Sequence, residues 1–592
     1  MNPSTQRGPV SQRGRERRVS VKLLVVVAVG IAAILMASLT AQAVVARTAC
    51  NNHPLLINVA ASEDISPAIQ HIGRLFNRQS HEVDGRCVEV QVTEAPPASV
   101  AAQVDGQGSS HGLPAVDAWV PDSSLWVNVA RAFPLGAQRV QTTGITVARS
   151  PLMIVMPAPA AAQVPSFNNT VGWNFLLPGS VGGPPAALGL RVDLPDPTQS
   201  AAGLASLIEM SRMLGSGAAA RTSLTKLAFT IQPTAQFSST ASLAAFSIQA
   251  LPPLSARPVT VTSEQAVLGY DAAHPHQPLA AQYPVGSSAA LGTQELNYPY
   301  VVTSTSTAKQ QAARQFGDTL RQSFTASVVR FYGFRSANGV GNKIPAADGI
   351  AQQPMTLAQP ATPGEAQTVL QAWNKLQIGS RDLTLIDASA AMATPSGVGN
   401  LTLEQAMAQT ANLGLALFPD SAQIGLWEMA DKVNGNLPYK QLVSVGPLPA
   451  KLGLISRRQQ LVQIDSSLRP LPNTPLALNQ SILAAYKQMS ASYQPKSTNA
   501  VIVMTAGVGT APGDLPTATL VSQLRKLYNP ARPVELIIVV LGTKANFTAL
   551  QQVATAGGGA AYQVTSPDQI GRVFFQAVSR RICQAGACTA AP

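Results

Sequence analysis

A chain of 592 residues is too long to fold around one hydrophobic core, so its length predicts three or four domains. Only 12% of the residues are charged, and residues 1–22 hold six basic side chains against the single acidic side chain of Glu16. Nucleic-acid-binding domains carry their basic residues clustered on a folded surface. The composition therefore argues against a nucleic-acid partner, despite the net charge of +12.

An apolar segment follows the basic N-terminus directly. Residues 23–46 contain no charged side chain over 24 positions, which is long enough to span a bilayer. Two interpretations stay open: an uncleaved transmembrane helix, or a signal peptide cut near Ala41 and Ala43. Under either one, the positive-inside rule places residues 47–592 outside the cytoplasm. With the helix retained, we expect a single-pass protein of the cell membrane whose bulk is extracellular.

The chain has four cysteines, which fall near the two ends of the exported part: Cys50, Cys87, Cys583 and Cys588. Their spacing does not match a zinc site. An even number of cysteines in an exported chain indicates disulfides, so we predict the pairs Cys50–Cys87 and Cys583–Cys588. A redox-active pair is the alternative.

Strand and helix patterns alternate between residues 50 and 334. Apolar runs predict strands at residues 55–61, 87–93, 116–120, 151–156 and 298–302. Helical patterns are predicted from Ser62 through Phe76 and over residues 204–214. This alternation is typical of a largely parallel sheet covered by helices, that is, of the α/β class.

Three stretches of this region resemble type 2 periplasmic solute-binding proteins of the molybdate and sulfate class. They are residues 59–62, residues 116–122 and residues 196–203. The resemblance implies two lobes that close on a solute held by hydroxyls and helix N-termini, with Ser62, Ser123 and Ser200 as ligand-binding residues. Ser62 and Ser200 also stand directly before predicted helices, so simple N-capping is the alternative for these serines.

No combination of residues in this region predicts an enzyme. The six histidines are scattered, and the sequence contains neither a Gly-x-Ser-x-Gly motif nor a phosphate-binding loop. Residues 335–363 mix Gly, Pro, Ala and Gln without periodicity, which predicts a linker. The second domain is then expected at residues 364–592.

The second domain is organised around a short apolar run at residues 383–386, which ends abruptly at Asp387. Such a run predicts a buried parallel strand that presents a site at its carboxyl end. Further strands are predicted at residues 422–429, 441–445, 500–505, 534–541 and 560–565, and the first two of these are predicted to form a hairpin at the sheet edge.

Helix-start patterns occur between these strands. Thr402 and Gln405 form a capping box, which predicts a helix ending at Leu417. A further helix is predicted over residues 451–468. Another is predicted to begin with Thr474 as its N-cap and Pro475 at its first helical position.

The order of these elements, together with Asp387 and Ser389, resembles a von Willebrand factor A domain. The resemblance implies a Rossmann-like fold and a magnesium site whose ligands here would be Asp387, Ser389 and Thr474. Ala391 and Ala506 stand where the family has a serine and an aspartate. Magnesium needs six oxygen ligands and relies on carboxylates, so we expect no tightly bound metal and no other cofactor.

These features predict a membrane-anchored extracytoplasmic binding or adhesion protein. Its partner would be a small ligand, an extracellular protein or a wall component. A substrate-binding component of a transport system is the first alternative. A hydrolase is the second, although no histidine follows His276 to serve as a base beside Asp387.

Overall fold

The computed structural model describes residues 54–580 except 107–112, 165–166, 168–170, 178–188, 232–240, 245, 247–256, 287–290 and 343–354. The basic N-terminus, the apolar segment at residues 23–46, Cys50, Cys583 and Cys588 lie outside the described residues. Within the described ranges, no helix is both long enough and apolar enough to cross a membrane.

The first part of the chain alternates strands and helices. Its strands are β1 (Leu55–Ala61), β2 (Glu82–Val83), β3 (Arg86–Glu94), β4 (Ala118–Val120), β5 (Gln141–Thr146), β6 (Ala148–Pro157), β7 (Leu190–Val192), β8 (Arg257–Ser263), β9 (Leu279–Gln282), β10 (Glu295–Leu296), β11 (Pro299–Val302) and β12 (Arg335–Ser336). Its helices are α1 (Ser66–Asn77), α2 (Pro97–Asp105), α3 (Ser124–Arg131), α4 (Pro134–Arg139), α5 (Ala158–Ala161), α6 (Ala201–Leu214), α7 (Ala218–Ile231), α8 (Glu264–Ala273), α9 (Thr307–Leu320) and α10 (Ser323–Phe331).

These strands form two sheets, one for each lobe. The first has the order β2-β3-β1-β4-β11-β5, with β1 parallel to both β3 and β4. The second has the order β10-β6-β8-β7, and β9 and β12 also pair with β6. The chain passes between the sheets three times: after β5, between β10 and β11, and between β11 and β12. This arrangement confirms the predicted α/β class and a fold like that of solute-binding proteins.

The second part of the chain forms one further six-stranded sheet. Its strands are β13 (Ser380–Asp387), β14 (Gln423–Asn434), β15 (Leu437–Pro447), β18 (Thr498–Thr505), β19 (Val534–Leu541) and β20 (Ala560–Val564), and a separate hairpin is formed by β16 (Lys451–Leu452) and β17 (Ile455–Ser456). The helices are α11 (Pro363–Gln377), α12 (Leu403–Leu417), α13 (Arg457–Ser467), α14 (Leu478–Ala491), α15 (Thr517–Leu527), α16 (Phe547–Ala556) and α17 (Ile570–Ser579). The sheet order is β15-β14-β13-β18-β19-β20, and the β14–β15 hairpin lies at the edge as predicted.

The predicted helix over residues 451–468 is wrong in its first turns. Those residues form the β16–β17 hairpin, whose turn contains Gly453 with a φ of +75°. Helix α13 begins only at Arg457, where Ser456 and Gln459 form a capping box. A left-handed glycine cannot continue a right-handed helix without breaking it, so the helix starts after the turn.

Thr474 is not a helix N-cap, which corrects a second prediction. Helix α14 begins at Leu478, because Leu476 pairs with the loop near Thr510 as an isolated β-bridge instead of entering the helix. The free N–H groups at the start of α14 belong to Asn479 and Gln480, and both donate to the carboxylate of Asp514. The capping group therefore comes from a loop 35 residues further along the chain.

The two parts of the chain pack against each other through helices. Trp373 and Leu376 on α11 are buried in one cluster with residues of α6. Phe229 on α7 contacts Phe574 and Phe575 on α17 edge to face, with ring centroids 5.7 and 6.0 Å apart. The first and second parts therefore share a continuous apolar core at this junction.

Candidate functional site

The three serines proposed as ligand-binding residues all lie at strand or helix ends, and all are buried. The Ser62 N–H donates to the carbonyl of Val120, 3.0 Å away. The Ser123 hydroxyl accepts the N–H of Leu125 at 3.2 Å and is thus an N-cap of α3. Ser200 is the N-cap residue of α6, but its hydroxyl makes no capping hydrogen bond. Their role toward a solute remains a prediction.

A carboxylate that sequence reasoning did not single out lies between the lobes. Asp122 follows β4 in the first lobe, and its Oδ2 accepts the N–H of Ala201 at 3.1 Å. Ala201 is the first residue of α6, which belongs to the second lobe. A helix N-terminus attracts anions. In this structure, the protein's own aspartate occupies the place predicted for an anionic solute.

The first turn of α6 lies close against the backbone of the loop that precedes it. A Cβ atom on Gly203 would lie 2.1 Å from the carbonyl oxygen of Pro195. Only glycine permits this contact, so Gly203 allows the first turn of α6 to lie against the loop before it. Within residues 196–203, the glycine at position 203 is therefore required by the packing of the chain.

A second acid, Asp64, lies next to Asp122. Its Oδ1 accepts the N–H of Ile65 at 2.9 Å, and its Oδ2 accepts the hydroxyl of Tyr298. Tyr298 is fully buried and has a positive φ of 34°, which is uncommon outside glycine. The Tyr298 N–H donates to the carbonyl of Asp122, so this crossover segment connects the two acids.

Burial dominates the electrostatics of the pair. It raises the pKa of Asp64 to about 6, although the Tyr298 and Ile65 hydrogen bonds act in the opposite direction. Burial, followed by repulsion from Asp64, raises the pKa of Asp122 to about 8. Neither acid belongs to an ion pair among the described residues, and the Asp122 Oδ1 is buried without a hydrogen-bond partner there.

This arrangement has a direct consequence for the solute. The raised pKa values mean that the empty site holds protonated, uncharged carboxyl groups below these pH values. Where the acids are ionised, an oxyanion beside them would meet like charge in a poorly solvated position. A positively charged group would instead supply the missing partner for the unpaired carboxylate oxygen. A cationic group beside the pair would also lower both pKa values and stabilise the ionised carboxylates.

The proposed metal-binding loops of the second domain do meet at the carboxyl end of β13, but their polar groups are largely satisfied. The Asp387 Oδ2 accepts the Thr505 hydroxyl at 2.6 Å, and the Oδ1 accepts the Ser389 N–H at 3.0 Å. The Thr474 hydroxyl donates to the carbonyl of Pro472. Burial raises the pKa of Asp387 above its usual value, against the effect of these hydrogen bonds.

These residues do not fit a magnesium ion. Only one carboxylate is present, and each of its oxygens already accepts a hydrogen bond. The Ser389 hydroxyl is buried without a partner, but Ala391 and Ala506 supply no side-chain oxygen. In the described part of the chain, no group of three or more His, Cys, Asp or Glu side chains could hold a metal. One carboxylate and two hydroxyls are too few for an octahedral site.

The Thr505 hydroxyl is the side-chain donor that binds the Asp387 carboxylate at this site, whereas the family resemblance pointed to its neighbour Ala506. We expect Thr505→Val to lower the free energy of unfolding by about 1.5–3 kcal/mol, since a hydrogen bond to a buried carboxylate is lost. The loss should be larger at pH 7 than at pH 5, because the hydroxyl stabilises the ionised form of Asp387. Urea unfolding at the two pH values measures both effects.

Thr498 provides a matched control on the same strand. Its hydroxyl is buried and has no partner among the described residues, so Thr498→Val should leave the stability nearly unchanged. Equal effects of the two substitutions would contradict a specific role for the Thr505 hydroxyl.

Cys87 lies on β3 and is not a free thiol. The other three cysteines lie outside the described residues. Both predicted disulfide pairings therefore remain predictions.

Comparisons with known proteins relate the first part of the chain to one family. Residues 57–335 match the family model described as bacterial extracellular solute-binding protein. A search of curated proteins finds no match.

The solved structures that match parts of this chain are distant in sequence. The sulfate-binding protein SubI from Mycobacterium tuberculosis is 18% identical over 48% of this chain and 88% of its own, with a TM-score of 0.34. A periplasmic thiamin-binding protein is 13% identical over 55% and 95%, with a TM-score of 0.39. A von Willebrand factor type A protein from Catenulispora acidiphila is 14% identical over 34% and 43%, with a TM-score of 0.26. The family match alone thus relates residues 57–335 to bacterial extracellular solute-binding proteins.

Proposed function

We propose that this chain is the substrate-binding component of a transport system, held outside the cytoplasmic membrane by its N-terminal segment. The observation that carries the proposal is the match of residues 57–335 to bacterial extracellular solute-binding proteins. The two sheets of this region and the contact between Asp122 and Ala201 across the lobes support it. The proposal concerns capture and delivery of a solute and includes no chemical step.

The solute would bind where the lobes meet. Opening the lobes separates Asp122 from the N-terminus of α6, and a solute can then enter between them. A cationic group of the solute would pair with Asp122 and Asp64, while Ser62, Ser123 and Ser200 would contact its polar edges. Closure would bury these contacts, and charge-assisted hydrogen bonds are among the stronger ones in proteins.

Solute binding can be tested by calorimetry on the full-length protein with three sets of small molecules: polyamines and other organic cations, neutral sugars, and the oxyanions sulfate and molybdate. We expect an organic cation to bind and the oxyanions not to bind. Asp122→Asn should weaken cation binding about tenfold or more, because a charge-assisted hydrogen bond contributes about 1.5–3 kcal/mol.

Asp84 offers a control for this substitution. It is exposed in the turn between β2 and β3, and its φ of +51° suits asparagine as well as aspartate. Asp84→Asn should bind the cation as tightly as the parent protein. The proposal fails if no solute of any class binds, or if Asp84→Asn and Asp122→Asn weaken binding equally.

Adhesion through the second domain is the other candidate. It would use the carboxyl end of β13, where Asp387 lies, to bind an extracellular protein or a wall component. The hydrogen bonds of Asp387 to Thr505 and Ser389 weigh against the metal-dependent form of this function. Solute capture by the first domain therefore has the stronger support.

A further inference from the structure

A cavity of about 240 Å³ lies at the junction between the two parts of the chain. Helices α6 and α7 of the first part and α11 of the second form its walls. Its lining is mainly apolar and includes Leu207, Leu224, Val369, Trp373 and Leu376. An engineered apolar cavity of about 150 Å³ is large enough to bind benzene, so this one can hold a larger apolar group.

The lining contains one buried donor without an acceptor and one cation without an ion-pair partner among the described residues. Trp373 is almost completely buried, and its indole N–H has no partner among the described residues. The half-buried Arg221 also lines the cavity, and its side chain belongs to no ion pair in the described ranges. The nearby acids Glu209 and Glu365 are both bound by Arg212 instead. A buried donor without an acceptor is costly, so an acceptor bound at the Trp373 indole N–H would be stabilising, and an anionic acceptor would also attract the Arg221 guanidinium.

The cavity is separate from the solute site, although both involve α6. The first residue of that helix, Ala201, contacts Asp122 between the lobes. Leu207 and Ser211, further along the helix, line the cavity. At about 1.5 Å per residue, these positions lie about 9 and 15 Å along the helix axis from Ala201. A molecule in the cavity would thus not touch Asp122.

We propose that this cavity binds an amphipathic carboxylate, an acid with one alkyl chain or ring system. Its carboxylate pairs with Arg221 and its apolar part lies against Trp373 and Leu376. The apolar walls select the body of the ligand, and the Arg221 guanidinium together with the unpaired indole N–H of Trp373 selects its anionic head. The site is independent of the proposed transport function, because none of its residues contacts the acids between the lobes.

Decanoate, below its micelle concentration, is a suitable probe for calorimetry on the full-length protein. We expect decanoate to bind and decanol, which has the same chain without the charge, to bind at least tenfold more weakly. Arg221→Gln should weaken decanoate binding about tenfold and leave decanol binding unchanged. Arg525→Gln, an exposed arginine on α15, is the matched control and should change neither.

Two further variants locate the ligand. Ala372 lines the cavity, so Ala372→Phe should fill the space and abolish decanoate binding. A dibrominated undecanoate should quench tryptophan fluorescence in the parent, and Trp373→Phe should lose this quenching while the other four tryptophans remain. The proposal is overturned if decanoate does not bind, if decanol binds as tightly as decanoate, or if Arg221→Gln and Trp373→Phe behave like the parent.

Discussion

At pH 8, Asp122→Asn is expected to be more stable than the parent protein, and at pH 5 the difference should be much smaller. Burial and the neighbouring Asp64 raise the pKa of Asp122 to about 8. Between its unfolded pKa near 4 and this value, the folded state holds a proton that the unfolded state has released. The stability of the parent therefore falls as pH rises through this window.

The size of the effect follows from the linkage between proton binding and folding. From pH 5 to pH 8, a single acid with these two pKa values costs at most about 4 kcal/mol of folding free energy. Asparagine does not titrate, and its side-chain oxygen can still accept the Ala201 N–H. The remaining slope would then come from Asp64, whose pKa is raised to about 6.

Melting temperatures of both proteins at pH 5, 6, 7 and 8 measure this difference. Asp84→Asn is again the control, since that residue is exposed in a turn. An Asp122→Asn protein with the same dependence on pH as the parent would show that Asp122 does not carry the raised pKa.

Arg212→Met is expected to produce the largest loss of stability outside the solute site. Arg212 makes a bidentate pair with Glu365 at 2.7 and 2.9 Å and also binds Glu209 at 2.8 Å. Its guanidinium donates to the carbonyls of Gln359 and Pro360 as well. One side chain of the first part thereby holds the segment before α11 and the first turn of that helix.

The substitution would leave the carboxylate of Glu209 fully buried, with Gln294 as its one remaining side-chain donor among the described residues. Removing one partner of a buried ion pair costs about 3–5 kcal/mol, and methionine retains the packing of the arginine stem. We expect calorimetry to show a lower melting temperature and separate transitions for the two parts of the chain.

The control is Arg321→Met, because both side chains of the Arg321–Asp318 pair are exposed and the pair should contribute less than about 1 kcal/mol. Equal losses in the two variants would contradict the role of Arg212.

The regular elements of the fold could be predicted from short stretches of sequence. The strands Leu55–Ala61 and Val534–Leu541 have the predicted limits, because an apolar run of that length can only be buried within a sheet. The capping box at Thr402 and Gln405 also forms as predicted. In each of these cases, the pattern and the interaction that produces it lie within about ten residues of each other.

The start of helix α14 and the chemistry of both candidate sites depend on partners distant in the chain. Asp514 caps α14 from 35 residues away, Asp122 reaches Ala201 over 79 residues, and Thr505 reaches Asp387 over 118. A serine or threonine before a proline indicates a possible N-cap. It does not show which carboxylate, from a distant part of the chain, will accept the backbone N–H groups at the start of the helix. Local patterns thus predicted which segments are strands and helices. The partners and the burial of the acidic side chains were decided by tertiary structure, because they exist only after the sheets and helices pack.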